Sequence, residues 1–482
     1  MSSVRRSLWY SFADNHVGML LQLASSLVIA RLLTPGEIGI FMVAAVFAAL
    51  ASTFRDFGVV EYLIQAKELT PGRIRAAFGV NLMVSWFIAA IMFLASDAVA
   101  AFYSQPGVGS VMRVQALNFV LIPFGAITMA YHRRNMNYRP LFLAGLYSNL
   151  VGLVVVLVAV LAGQSYMSMA WSTLAGVVVF VLVSFIYRPV ELPRWPALAG
   201  IGEVFHFGKH AVGIYLLGQL GKSAPEAVIG RVLDMPSVAY FGRADGLVEI
   251  FRRAILSTVG KVCLPFFSEA VRSGKPLHEA YIRAVELLIG VGWPFLLCMG
   301  IAAEGIIRLL YGPQWGASVP LAHIICVAAI VRLPYALATE ALIAAGNIKI
   351  SHKLQWLNQT ILIASLGLIF PFGLKGACWG LLISAILNSV LSHLFLKRII
   401  GINNATFLQV FRSASIVAIP SAAPALLLAL IVNQGNNFLW FVPLALFLSI
   451  ISWLWLARKT LHPVQAEIRR VKAKWETMRQ RK

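Results

Sequence analysis

Charge is what this sequence has least of. Only 12% of its 482 residues are Asp, Glu, Lys or Arg, about half the share found in soluble globular proteins. Hydrophobic residues make up 59%, and mean hydropathy is +0.80. No soluble domain hides that much apolar surface, so lipid is the solvent. Cysteine is scarce as well. Cys263, Cys298, Cys326 and Cys378 stand singly in or beside apolar runs without CxxC spacing. They read as small packing residues, not as a disulfide framework or a metal site. The sequence has no GxxxxGK[ST] phosphate loop, no HExxH and no dinucleotide fingerprint. Its nine histidines are scattered and read as interfacial or packed. No catalytic residue, metal or cofactor is therefore expected, and the chain is not expected to be an enzyme.

What is present is a series of apolar runs of roughly 18–25 residues without alternation. These are helices, because barrel strands would be about ten residues long and alternate. About fourteen are expected, over 9–32, 37–58, 76–97, 111–131, 141–163, 166–187, 204–225, 236–259, 282–303, 317–345, 352–371, 374–396, 408–432 and 438–457. Arg5 and Arg6 precede a full-length span and not the short core of a cleavable signal.

The net charge of +21 would suggest nucleic acid on a soluble protein. Here the basic residues flank the apolar runs, so they report topology and no nucleic-acid partner is expected. With the N-terminus in the cytoplasm, 32 of the 40 Lys and Arg fall at cytoplasmic ends, loops and the tail. The opposite face receives Arg31, Arg113, Arg231, Arg308 and Lys375. This asymmetry requires an even number of helices with both termini inside. The basic tail over 458–482 suits the anionic inner leaflet.

One short segment occurs twice. Ile29-Ala30-Arg31-Leu32-Leu33-Thr34-Pro35 leads on to Gly39 and Phe41. Its counterpart runs Ile229-Gly230-Arg231-Val232-Leu233-Asp234-Met235-Pro236, then Ala239 and Phe241. Each copy joins two apolar runs, and six helices separate them. An even number places both halves in the same sense, a parallel repeat. Pro123-Phe124 with Thr128 and Pro334-Tyr335 with Thr339 extend the correspondence. The expected fold is thus all-α and membrane-embedded, with six-helix halves over 1–200 and 201–400. Two further helices follow over 401–457, and the tail over 458–482.

Polar residues inside the apolar runs point to a cavity, since a charge at the bilayer centre costs about 2.5–3.5 kcal/mol on insertion scales. Asp14, Gly18, Gln22 and Ser25 form one stripe on the first helix. The seventh carries Gln219, Lys222, Ser223 and Glu226, with Lys209 and His210 near its other end. The eighth carries Arg243, Asp245, Glu249 and Arg253; the tenth carries Arg332 and Glu340. Helices 1 and 7, equivalent in the repeat, are expected to face each other across a polar cleft. Its cations Lys222, Arg243 and Arg332 suit an anionic head group. Asp14, Gln22, Glu226, Asp245, Glu249 and Glu340 would line the path, the acids being candidates for coupling to H⁺ or Na⁺. Internal pairing, Lys222 with Glu226 or Arg332 with Glu340, is the competing arrangement.

The run Arg31-Leu32-Leu33-Thr34-Pro35, Gly39, Asp56-Phe57-Gly58 and Ile64-Gln65 resembles the N-terminal signature of the polysaccharide-transport (Wzx-type) flippases. These belong to the multidrug/oligosaccharidyl-lipid/polysaccharide exporter superfamily. Ile229-Gly230-Arg231 and Leu264-Pro265-Phe266 agree, and the likeness extends to about residue 400. It implies two six-helix lobes around a central cavity. It implies alternating-access flipping of undecaprenyl-pyrophosphate-linked oligosaccharide across a bacterial inner membrane, for exopolysaccharide, capsule or O-antigen synthesis. Polysaccharide polymerase and export proteins would be partners besides the membrane lipids. One departure stands out: family members often carry an Asp shortly before the Ile-Gly of helix 7, where this chain has Ala224-Pro225-Glu226. Three alternatives remain open: a lipid II flippase, a cation-coupled multidrug exporter of the same superfamily, and, less favoured, a membrane glycosyltransferase or polymerase. No inter-helix loop exceeds roughly 25 residues, which argues against the last.

Overall fold

The computed structural model describes residues 2–460 apart from 57, 67, 198 and 432–437, together with 463 and 465. The expected turn at 433–437 and most of the expected basic tail lie outside the described residues. So do the side chains of Arg5, Arg6, Lys209 and His210.

The regular structure among the described residues is helical. In chain order it comprises α1 (Ser2–Leu32), α2 (Pro35–Asp56), a short α3 (Val59–Gln65), α4 (Pro71–Phe102), α5 (Pro106–Leu121), α6 (Pro123–Arg134), α7 (Arg139–Leu161), α8 (Met167–Ile186) and α9 (Ile201–Val232). Next, α10 (Met235–Phe251) runs through a π-helical turn (Arg252–Leu256) into α11 (Ser257–Arg272). Then come α12 (Leu277–Ile301), α13 (Ala303–Tyr311), α14 (Val319–Arg332), α15 (Ala338–Ala344), α16 (Ile348–Ser365), α17 (Ile369–Ile400), α18 (Asn404–Ile431) and α19 (Phe438–Lys459). Among the described residues, nine helical stretches are long and apolar enough to cross a membrane, or ten if the bent pair α5/α6 is one span. The chain is a multi-pass membrane protein. Of the fourteen expected spans, α1, α9, the α10–α11 rod and α16 are outside that set because they carry more charge and polar groups.

Several boundaries differ from the sequence expectation. The span expected over 111–131 is two helices meeting at 51°, because Pro123 lacks the N–H that would continue the ladder. The span over 317–345 is likewise interrupted by a 3-10 turn at Leu333–Tyr335, around Pro334. The helix expected over 236–259 reaches Arg272 through the π turn.

Contacts divide the chain into Met1–Ala239 and Tyr240–Lys482. In the first unit α1 packs along α7, α7 against α8, and α4 against α5, while α9 lies on α2, α4 and α3. In the second, α12 packs on α18 and α14, α14 on α17, and α18 on α19. Arg134 at the end of α6 satisfies the last turn of α3, donating to the carbonyls of Leu63, Ile64 and Ala66 at 2.6, 3.2 and 2.6 Å.

The repeated segment forms a capped turn in both copies. Thr34 donates its N–H and hydroxyl to Glu37 at 2.7 and 2.8 Å, and Glu37 N–H returns to Thr34 Oγ1 at 3.3 Å. This reciprocal pair satisfies the open end of α2. At the second copy Asp234 Oδ1 accepts the Ser237 N–H at 2.8 Å. The copies also touch. The α-carbon of Gly39 lies so close to Met235 that a Cβ would sit 1.8 Å from its carbonyl oxygen, and one on Gly230 would sit 2.7 Å from Val43. Neighbouring turns join this knot: Glu37 accepts from Ser165, Tyr103 donates to Ala227 O at 3.2 Å, and Arg231 lies over the Phe102 ring at 4.9 Å.

Because a backbone carbonyl cannot yield cheaply, Gly39→Ala is expected to destabilise the protein by about 1–3 kcal/mol or more. Gly36→Ala is expected to be nearly neutral, since a Cβ there meets only Pro236 Cγ at 3.7 Å. Thermal stability of the detergent-solubilised variants measures the contrast.

Candidate functional site

In the first unit the polar stripe of α1 faces α7 over part of its length. Asp14 lies against Gly145, where a Cβ would be 2.9 Å from Asp14 Oδ1, and Gly18 lies near Asn149. Asn149 in turn donates to Gly145 O at 2.8 Å. The charge of Arg133, at the end of α6, acts on Asp14. Gln22, further along, is exposed. On α9, Lys222 is exposed, Gln219 donates to Ser223 at 3.0 Å, and Glu226 is half-buried. The helix continues through Pro225.

In the second unit the three arginines of interest are housed in three different ways. Arg243 is stacked over Tyr311 at 4.9 Å and Trp315 at 5.0 Å. Trp315 is fully buried, and Tyr240 meets its edge. Ring faces attract a guanidinium through their quadrupole, so this arginine is held by aromatic packing.

Arg252 is held by carboxylates. It lies 2.6 Å from Asp245 and 2.7 Å from Glu249, and Glu249 also pairs with Arg253 at 2.8 Å. Seventeen residues of helix from Met235 put Arg252 about 25 Å along the rod. The π turn begins at this residue, and π turns occur often at functional sites. Arg252, the centre of this cluster, is not among the candidate residues named from the sequence. The available signal was its spacing, seven residues after Asp245 and three after Glu249, which puts all three on one helix face.

Arg332 ends α14, mid-way along the Pro313–Ala344 stretch and beside the Pro334 break. It is exposed, and among the described residues it has no ion pair within 4 Å. Its charge acts on Asp245 and Arg252. Three arginines against two carboxylates leave this cluster with one surplus positive charge. Glu340 lies apart, on α15 facing Gly260 of α11, with Oε2 buried and without a hydrogen-bond partner among the described residues. The Arg332–Glu340 pairing considered from sequence is not formed. In short, the structure joins Asp245 and Glu249 through Arg252, and places Arg332, Arg243 and Glu340 elsewhere in the same unit. Asp14, Gln22, Lys222 and Glu226 belong to the first unit.

A family model described as polysaccharide biosynthesis protein matches residues 28–320, more than half of the chain. The chain belongs to that family. The match begins at the first copy of the repeated segment and takes in the second, the π turn and the aromatic cage around Arg243. Relatives within polysaccharide biosynthesis include the lipopolysaccharide biosynthesis protein WzxC of Escherichia coli K12, 19% identical over 95% of this chain and 94% of its own. The teichuronic acid biosynthesis protein TuaB of Bacillus subtilis is 22% identical over 73% and 74%. The succinoglycan biosynthesis transport protein ExoT of Rhizobium meliloti is 22% identical over 66% and 65%. Among solved structures, the lipid II flippase MurJ in an inward closed conformation superposes with a TM-score of 0.69 at 14% identity, covering 93% of this chain and 98% of MurJ. An inward-facing multidrug resistance transporter of the MATE family, in the MOP superfamily, gives 0.65 at 15% identity over 81% and 96%. These likenesses establish a shared fold, that of the MOP-superfamily transporters.

Removing Arg252 strands two half-buried carboxylates. Arg252→Met is expected to lower stability by about 1–3 kcal/mol, between the values for buried and for water-accessible pairs because all three groups are roughly a third exposed. Adding Asp245→Asn and Glu249→Gln should recover most of that loss in a detergent melt. Equal instability of the triple variant would remove the pairing as the cause.

Proposed function

We propose that this protein is a flippase moving polyprenyl-pyrophosphate-linked oligosaccharide, the lipid being undecaprenyl, from the inner to the outer leaflet of a bacterial inner membrane. The route is exopolysaccharide, capsule or O-antigen synthesis, and the mechanism is alternating access. Family membership supports the polysaccharide setting, and a transport protein stands among the relatives. The flippase and exporter folds support the mode of action. Both termini are cytoplasmic in this reading, and the halves 1–200 and 201–400 are repeat units. The four more polar helices also cross the membrane, giving fourteen. Polysaccharide polymerase and export proteins are the partners that would receive the product.

The observation that carries the head-group assignment is Arg332: a guanidinium mid-way along a membrane-spanning stretch, exposed, and without a carboxylate in ion-pair reach among the described residues. A pyrophosphate offers pairs of oxygens that accept the two parallel N–H groups of a guanidinium fork. Lys222 is exposed on α9 and joins it in the proposed set. Arg243 completes the set but already has two ring faces, so it contributes less. Asp14, Gln22, Glu226, Asp245, Glu249 and Glu340 line the path, and the acids take up H⁺ or Na⁺ to drive the cycle.

Arg332→Gln should cut export of the polymer about 10- to 100-fold, the loss of one charge-assisted contact, with membrane insertion unchanged by immunoblot. Arg332→Lys should retain part of it. Full export by Arg332→Gln would falsify the head-group role.

A further inference from the structure

The two broken spans share a device that neither the family match nor the proposed cargo assigns. A proline in mid-helix frees carbonyls one turn earlier, and in lipid each free carbonyl needs a donor. At the first break the helix stops at Leu121, and Trp86 of α4 donates its indole N–H to Val120 O at 3.3 Å. At the second, Trp293 of α12 donates its indole N–H to Ile330 O at 3.1 Å. Ile330 stands four residues before Pro334, so its carbonyl is the one that proline leaves open. Ser389 of α17 covers Val331 O at 3.1 Å, and Tyr281 of α12 covers Pro334 O at 3.0 Å.

The two arrangements correspond in the repeat. In each unit the tryptophan lies on the membrane-length helix preceding the broken span, and its target lies three or four residues before the proline. The breaks differ in shape, the first bent by 51° and the second carried by a 3-10 turn. An indole N–H is a single, directional donor on a rigid ring. It can hold one carbonyl in one geometry and release it, whereas a backbone ladder cannot be released without unwinding.

We infer that the breaks at Pro123 and Pro334 are paired hinges, one in each half, and that Trp86 and Trp293 are their latches. The indole hydrogen bond fixes the angle between the two segments. Loss of that bond frees the outer carbonyl turn to re-form with a neighbouring donor, and the segment beyond the proline swings.

Trp86→Phe and Trp293→Phe keep an aromatic ring and remove only the donor. In the full-length protein in lipid nanodiscs, each should speed amide hydrogen exchange at its own break, around 120–126 or 330–338, by about 3- to 10-fold, the range expected for one lost hydrogen bond. Exchange at the other break should not change. With the four buried cysteines replaced by alanine, spin labels at Leu117 and Asn135 span the first break. The parent should show more than one separation between them, and Trp86→Phe should change their proportions. A single narrow separation unaltered by Trp86→Phe, or exchange at both breaks equal to the parent, overturns the hinge. Both measurements read bending and not cargo, so the outcome stands apart from the flippase assignment.

Discussion

A carbonyl oxygen inside a bilayer must find a donor within the protein, because an unsatisfied polar group in hydrocarbon costs several kcal/mol. Much of the local architecture follows from that constraint. Helices dominate because they settle most of the account internally, and the features of interest lie where they cannot. At Pro123 and Pro334 the ladder is cut and indoles supply what the backbone lacks. At the end of α3 a single arginine serves three carbonyls. At the open ends of α2 and α10, Thr34 with Glu37 and Asp234 take up N–H groups. Each of these departures from a continuous helix is thus tied to a named side chain.

Charge obeys a stricter version of the same rule. A guanidinium in lipid has to be covered by ring faces, matched by carboxylates or reached by water. The second unit shows the first two, in Arg243 and Arg252, while Arg332 is exposed and has no ion pair among the described residues. Equal formal charges therefore carry unequal functional weight, and composition alone could not rank them.

Much of the fold was legible in the sequence. Apolar length and the absence of alternation identified membrane helices, and the two prolines located the two broken spans. What stayed hidden concerns pairs of helices. Helical periodicity says which residues share a face but not what that face meets. The donors at the breaks come from 34 and 37 residues away, and the rings around Arg243 from a different helix altogether. Asp14, read from sequence as part of a polar stripe, meets Gly145 on α7. Arg252 drew no notice because a basic residue near an expected helix end reads as a topology signal, and the rod continues beyond it to Arg272.

The contact between Gly39 and Met235 sets an order of assembly. These positions are nearly two hundred residues apart, so the first unit cannot complete its packing until almost all of it has been made. At about 5–20 residues per second, synthesis of the intervening chain takes on the order of 10–40 s. Through that interval Gly39 on α2 lacks the backbone it packs against. Helices 3 to 8 are inserted meanwhile. The first unit closes only when α9 arrives and brings the second copy of the turn against the first.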